Sequence, residues 1–153
     1  MKVLFDTSVL IAALLVNHPN HAVSFPMLEM AQCQDIKGYI STHSLAELYS
    51  VMTRLPQPLR IPPDRAQIMI ADLMGYLEAV PLLAEDYQQA IAQMVALKLI
   101  GGSVFDRLIA QAALKAEVDC ILTLNSKDFL RFGEPISLLV EVPKEEITPQ
   151  ESY

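Results

Sequence analysis

Four acidic residues of this chain stand in apolar company. Asp6 closes the run Val3-Leu4-Phe5, and Glu47 lies within Ser44-Leu45-Ala46-Glu47-Leu48. Asp106 sits between Val104-Phe105 and Arg107-Leu108, and Asp128 stands between Leu124-Asn125-Ser126-Lys127 and Phe129. A carboxylate at the end of a hydrophobic strand, or beside the core-facing stripe of a helix, is costly unless something compensates its charge. Several gathered together also repel one another. A divalent cation is the usual compensation, and hard carboxylate oxygens suit Mg2+ or Mn2+ better than zinc. An ion so held can activate a bound water and neutralise charge growing on a phosphoryl group. Hydrolysis of a phosphodiester is the chemistry this pattern leads us to expect, without a basic catalyst.

Each acid also has a plainer reading. Asp6 can cap the helix that follows it, and Asp106 can answer a helix dipole. Glu47 can turn outward from its helix, and Ser126-Lys127-Asp128 reads as a capped turn. Neighbouring residues divide in the same way. His18 and His21 are three apart but lack a third ligand, so they are read as decorating a helix start. His43 and Glu47 are four apart and can touch on a helix, although a solvent-facing His43 is favoured here. Arg107 either points along the rim, toward Glu47 or a phosphate, or faces outward. Lys127 and Arg131 can meet a nucleic-acid backbone or be ordinary surface charges. Cys33 and Cys120 lie in apolar stretches without a dense cysteine pattern, so a reduced compartment is expected, and Cys120 reads as buried packing.

The elements that must carry these residues follow from local pattern. Lys2 to Phe5 reads as a buried strand, broken by Asp6-Thr7-Ser8, with Thr7 or Ser8 capping a helix from Val9 to about Val16. Pro19 suits the first turn of a second helix, reaching about Gln34. Ile36 to Ile40 is a strand, and Ser41 or Thr42 opens a helix through Leu45, Leu48, Tyr49 and Met52. After a proline-rich connection, Asp64 to Tyr76 is helical, with Ile68, Ala71, Met74 and Leu77 as its expected apolar stripe. Ala79 to Leu83 is a strand and Glu85 to Lys98 a helix. Ser103 is expected to cap a helix through Glu117 with Asp106 in its first turn. Cys120 to Thr123 is a strand, Ser126 to Leu130 a helical turn, and Ile136 to Val140 a last strand. Alternation of this kind predicts an α/β protein with a central parallel sheet covered on both faces. In such folds sites lie beyond the carboxyl ends of the strands. Asp6, Asn125 and Asp128 fall there directly, and Glu47 and Asp106 ride early helical turns aimed at the same edge.

The chain has 153 residues, 52% of them hydrophobic, enough for one domain with its own core. A net charge of −7 argues against nucleic-acid binding through bulk field, but a metal turns an acidic site into an anion receptor. The longest apolar run, Val9 to Val16, is too short to span a bilayer, and the N-terminus does not read as a signal peptide. We expect a cytoplasmic protein without membrane contact. The C-terminal stretch is acidic and carries prolines, so residues 1–142 are read as the domain and residues 143–153 as a flexible tail.

Taken together, Asp6-Thr7-Ser8-Val9-Leu10-Ile11, Glu47 in its segment, Asp106-Arg107-Leu108-Ile109-Ala110 and Leu122-Thr123-Leu124-Asn125-Ser126-Lys127-Asp128-Phe129 resemble a PIN domain. The likeness spans nearly the whole chain, and its size is similar to that of the VapC-like ribonuclease toxins of type II toxin–antitoxin pairs. The resemblance implies a three-layer α/β/α fold and a metal-dependent endoribonuclease using Mg2+ or Mn2+. Asp6, Glu47 and Asp106 match the family's principal metal-binding acids. Thr7 or Ser8 matches its small hydroxyl residue, and Thr123 and Asn125 its polar pair after the fourth strand. The family often carries Asp where Asn125 stands, which leaves Asp128 as a weaker fourth ligand. Arg107 and Lys127 are possible substrate contacts. The resemblance further implies a homodimer and a small antitoxin protein; the sequence adds a surplus of apolar helix surface, including Leu48, Tyr49, Met52, Ile68, Met69 and Leu73, as candidate contact surface.

Other functions compete. A non-toxin RNA-processing nuclease shares the same site. An aspartyl phosphatase wants a second Asp where Ser8 stands. A receiver domain needs an acidic cluster, a phosphoacceptor and a lysine in a layout this chain lacks. A non-catalytic PIN-like scaffold sits poorly with intact Asp6, Glu47 and Asp106.

Overall fold

A computed structural model describes residues 1–145. Strand and helix alternate as β1 (Lys2–Phe5), α1 (Thr7–Leu14), α2 (His21–Gln32), β2 (Lys37–Ser41), α3 (Thr42–Thr53), α4 (Pro63–Met74), β3 (Leu77–Val80), α5 (Ala84–Ala96), α6 (Ser103–Lys115), β4 (Cys120–Leu122), α7 (Ser126–Leu130), α8 (Ile136–Leu139) and β5 (Val140–Glu141). The strands form one parallel sheet of five in the order β3-β2-β1-β4-β5. Successive side chains of β1 point to opposite faces, as strand geometry requires. Val3 and Phe5 enter one core with Val9, Leu10, Leu28, Leu48, Met52 and Leu73, so α1 to α4 cover that face. Leu4 enters the other with Met94, Ile109, Ala113, Phe129 and Ile136, so α5 to α8 cover the second. The result is the three-layer α/β/α architecture with a central parallel sheet.

The strand order places the site. From β1 the chain steps outward through β2 to β3, then returns to the far side of β1 for β4 and β5. The order therefore reverses between β1 and β4, and a crevice opens beyond their carboxyl ends. Asp6 follows β1 and Thr123 follows β4, which brings residues far apart in sequence to one corner. The backbone seals that corner, since the Asp6 amide donates to the Leu122 carbonyl at 3.0 Å.

Several local expectations change. Asp6, not Thr7 or Ser8, holds the N-cap position of α1, and its backbone carbonyl accepts from Val9 and Leu10. The hydroxyls of Thr7 and Ser8 are used elsewhere. Pro19 lies outside α2. In α4 the buried residues are Ala66 and Leu73, with Met69 and Ile70 partly covered, while Ile68 is 61% exposed. Two apolar stripes about a third of a turn apart compete on that helix, and contact with α3 selects the other one. Gly102 is the N-cap of α6, because the Ser103 hydroxyl donates backward to the Ile100 carbonyl. Residues 136–139 are helical, and only Val140 and Glu141 pair as the edge strand. Glu141 thus belongs to the sheet, and Pro143 is buried although it falls in the stretch read as tail. The remainder of that tail, residues 146–153, lies outside the described residues. Cys33 is exposed, whereas Cys120 is packed as expected and burial pushes its thiol up to about 12, which leaves it inert. No helix among the described residues is long and apolar enough to cross a membrane.

Candidate active site

A cleft of about 560 Å³ opens at the β1–β4 crevice. Asp6, Glu47, Asp106 and Asn125 line it, with Thr7, Ser8, His18 and Arg54. The helices deliver their acids by position: Glu47 lies in the second turn of α3 and Asp106 in the first turn of α6. Both turns lie at the same sheet edge as the end of β1.

Asp6 is held most firmly. The Ser8 hydroxyl donates to Asp6 Oδ2 at 2.6 Å and the Thr123 hydroxyl to the same oxygen at 2.8 Å. Each hydroxyl is itself fixed, because the Leu124 amide donates to Ser8 Oγ and the Asn125 amide to Thr123 Oγ1. The carboxylate makes no capping bond to α1. The plain reading of Asp6 as a helix cap therefore fails at the side chain. Both hydroxyl bonds fall on Oδ2, so neither occupies Oδ1. Burial raises the Asp6 carboxyl above its ordinary value. The two hydroxyls oppose that rise, and the charge on Glu47 adds to it.

Glu47 is half-buried beside His43. Its Oε2 stands 3.5 Å from His43 Nε2, within ion-pair range for a protonated ring but outside hydrogen-bond geometry. The His43 ring holds the Glu47 carboxyl below its ordinary value, burial works against this, and the Thr7 hydroxyl assists. The Thr7 hydroxyl donates its proton to Ser44 Oγ at 3.0 Å, tying α1 to α3. His43 does not face solvent as expected: it stacks on Phe105, with parallel rings 5.3 Å apart.

Asp106 differs from both. No hydrogen bond to its carboxylate is found among the described residues. Burial, then the charges of Asp6, Asp128 and Glu47, push it up to about 7. Asp128 lies on α7 outside the cleft lining, near enough to affect Asp106, and Arg131 Nη2 stands 3.6 Å from it. Asn125 is exposed at the mouth, and Lys127 is exposed on α7.

Arg107 is a correction. It is 6% exposed, donates to Gln111 at 3.4 Å, and lies over the Phe132 ring at 5.7 Å. Neighbours on a helix point about 100° apart. With Asp106 turned to the cleft, Arg107 turns into the layer under α6 and is no substrate contact. The His43–Glu47 contact was expected as one reading of their i, i+4 spacing, but Phe105 was not singled out from sequence; the signal available for it was an aromatic beside Asp106.

The donor set is made of carboxylate oxygens with an unmet need for positive charge. As they lie, no three His, Cys, Asp or Glu side chains among the described residues are close enough to form a ready-made metal site. The fit to a divalent cation rests on donor chemistry and on the burial and neighbouring negative charge that raise Asp106.

A parallel α/β/α sheet with this acidic corner defines a class, and comparison with known proteins agrees. The PIN domain profile matches residues 3–135, and the chain belongs to the PIN-domain family. Among its relatives is ribonuclease VapC27 of Mycobacterium tuberculosis, 35% identical over 109 residues, covering 71% of this chain and 74% of that one. Ribonuclease VapC40 of the same species is 30% identical over 111 residues, covering 72% and 78%. Among solved structures, VapBC2 of Rickettsia felis, bound to a DNA fragment from its promoter, superposes with a TM-score of 0.66. It is 23% identical and covers 94% of this chain and all of that one. VapC20 of Mycobacterium tuberculosis, a sarcin–ricin loop cleaving toxin, gives 0.61 at 16% identity, covering 78% and 86%. At those identities the superpositions speak to the fold.

Proposed function

We propose that this protein is a metal-dependent endoribonuclease, the toxin of a toxin–antitoxin pair, with Asp6, Glu47 and Asp106 as its metal-holding acids. One observation carries the reading: three carboxylates, from the end of β1, from α3 and from α6, line one cleft, where burial and then neighbouring negative charge push Asp106 up to about 7. Names of relatives support the choice of RNA, since VapC27 and VapC40 are ribonucleases. Asp6, Glu47 and Asp106 would hold Mg2+ or Mn2+, which would lower the pKa of a bound water and offset negative charge at the phosphoryl group. The residues do the rest. Ser8 and Thr123 fix the rotamer of Asp6 by holding Oδ2. His43 and Thr7 keep Glu47 ionised. Asn125 offers a neutral oxygen at the mouth, and Asp128 acts on Asp106 through charge, with weaker claim to ligation. Lys127, exposed on α7, is the candidate contact for the RNA backbone.

The partner reading has its own support. An apolar groove of about 670 Å³ adjoins the cleft, lined by residues that include Leu14, Leu15, Leu55, Ile61 and Met69. Ile11, His18 and Val51 line both cavities. An amphipathic antitoxin helix seated in the groove would reach the cleft from its side. For the homodimer, Leu48, Met52 and Leu73 drop out because they are buried in the core. Leu83, Tyr87, Ile91 and Val95, each 40% exposed or more, make a better surface, running along α5 at four-residue intervals from its N-cap.

The decisive test is cleavage by purified protein freed of any copurifying partner. Single-stranded RNA should be cut in Mn2+ or Mg2+, and cutting should stop in EDTA. Cleavage that persists in EDTA would sink the reading.

A further inference from the structure

We propose that Phe105, backed by His43, is a stacking platform for one nucleobase of the single-stranded RNA held at the adjoining cleft. The inference rests on the nuclease reading above and assigns a base subsite that the acids do not explain.

Phe105 is 50% exposed and belongs to neither core cluster. Its neighbours in the first turn of α6 have other places: Ser103 is buried, Val104 packs on the core, and Asp106 faces the cleft. Phe105 instead lies parallel on the His43 ring, at 0° between planes. His43 is fixed from behind by α3, whose N-terminus is tied down where the Leu82 amide donates to Thr42 Oγ1 at 3.2 Å. The Phe105 ring is therefore braced on one face and half open to solvent. A rigid aromatic held this way is the surface on which unstacked bases settle.

Its location is the second ground. Phe105 lies outside the cleft lining, but its ring rests on His43, whose Nε2 stands 3.5 Å from Glu47 Oε2 in the cleft wall. A nucleoside stacked on Phe105 is thus at the rim of the cleft. The third ground is charge. The chain carries −7, and Arg54 is the one permanent cation in the cleft lining among the described residues. Electrostatic grip on a polyanion is weak here. Stacking needs no charge, and every base has a face to offer, so it supplies affinity where the field does not.

The test compares wild type with Phe105→Leu and Phe105→Trp in Mn2+, on short single-stranded RNAs of mixed sequence. Phe105 is changed rather than His43 because His43 also touches Glu47. Phe105→Leu should raise KM for cleavage about tenfold or more with kcat within about twofold, the size of one lost base stack. Phe105→Trp should behave like wild type. A single abasic site, scanned along the RNA, should at one position cost wild type the same factor and cost Phe105→Leu nothing further. A 2-aminopurine at that position should be quenched on rapid mixing with wild type and not with Phe105→Leu. If wild type cleaves and Phe105→Leu matches it, or loses the same factor at every abasic position, the platform falls while the nuclease reading stands. If Phe105→Leu instead cleaves normally but shifts sedimentation, the ring belongs to a protein contact. If wild type neither binds nor cleaves any of the RNAs, both readings fall together.

Discussion

Asp86 and Asp106 occupy nearly the same place on successive helices, yet their surroundings treat them oppositely. Asp86, in the first turn of α5, accepts from Lys115 Nζ at 2.7 Å and from the Leu83 amide at 2.7 Å. Lys115 and the Leu83 amide hold its carboxyl below the ordinary value. Asp106, in the first turn of α6, has no cation against it and is pushed up to about 7. The same protein that pairs one acid leaves the other without a partner, beside Asp6, which is held by hydroxyls alone. An unpaired cluster is expensive, so the contrast locates where a cation from outside is wanted. It also sets a carboxylate with a cationic partner apart from the cleft acids that the proposed function assigns to a metal.

The contrast breaks first at Asp6. Asp6→Asn should lower RNA cleavage in Mn2+ roughly a thousandfold or more, beyond the 10–100-fold typical of losing a group behind a metal ligand. Far-UV circular dichroism should be unchanged. Activity near wild type would remove Asp6 from the machinery.

Asp106 sharpens the contrast through pH. Its folded pKa, about 7, lies above an unfolded value of about 3.9. Between those values the folded state binds more protons, so metal-free stability should fall as pH rises through that window. Denaturant titrations in EDTA at pH 5 and pH 8 should show this slope in wild type and its loss in Asp106→Asn. The same substitution should remove most turnover. A wild-type slope of the opposite sign would mean that Asp106 already has a partner.

Thr123→Val tests the clamp on Asp6. It removes one of two hydroxyls on Oδ2 and strands the Asn125 amide. Cleavage should drop by about 10–100-fold, and stability by about 1–2 kcal/mol. Thr123→Ser should restore both. The smallest effect is reserved for the paired acid. Lys115→Met should cost about 1 kcal/mol near neutral pH, because the pair is partly exposed. Cleavage should be untouched. Since the Asp86 carboxyl is depressed, this contribution holds above its ordinary pKa and fades as pH falls through the acid range. Chemical denaturation at pH 7 and pH 3 reads both limbs.

Much of this molecule was legible from residue order. Lys2–Phe5 as a strand and Ser126–Leu130 as a helical turn followed from apolar runs bounded by polar breakers, because burial and turn chemistry act locally. The parallel α/β alternation was legible for the same reason. So was the placement of Asp6, Glu47 and Asp106 near one edge, since each lies just past a strand or early in a helix. Rotation and pairing were not legible. Whether α4 buries Leu73 or Ile68 depends on which stripe meets α3. Arg107 turned inward because Asp106 took the outward direction, and helical residues one apart cannot share a face. Ser8 and Thr123 are 115 positions apart, yet both bond one oxygen of Asp6. Their meeting depends on β4 returning beside β1. His43 on Phe105 likewise joins α3 to α6 across the cleft edge. Local composition settles which segments extend or coil and where acids fall along them. Side-chain direction and partnership are settled only when elements pack, because contact energies depend on distances that no one-dimensional order contains.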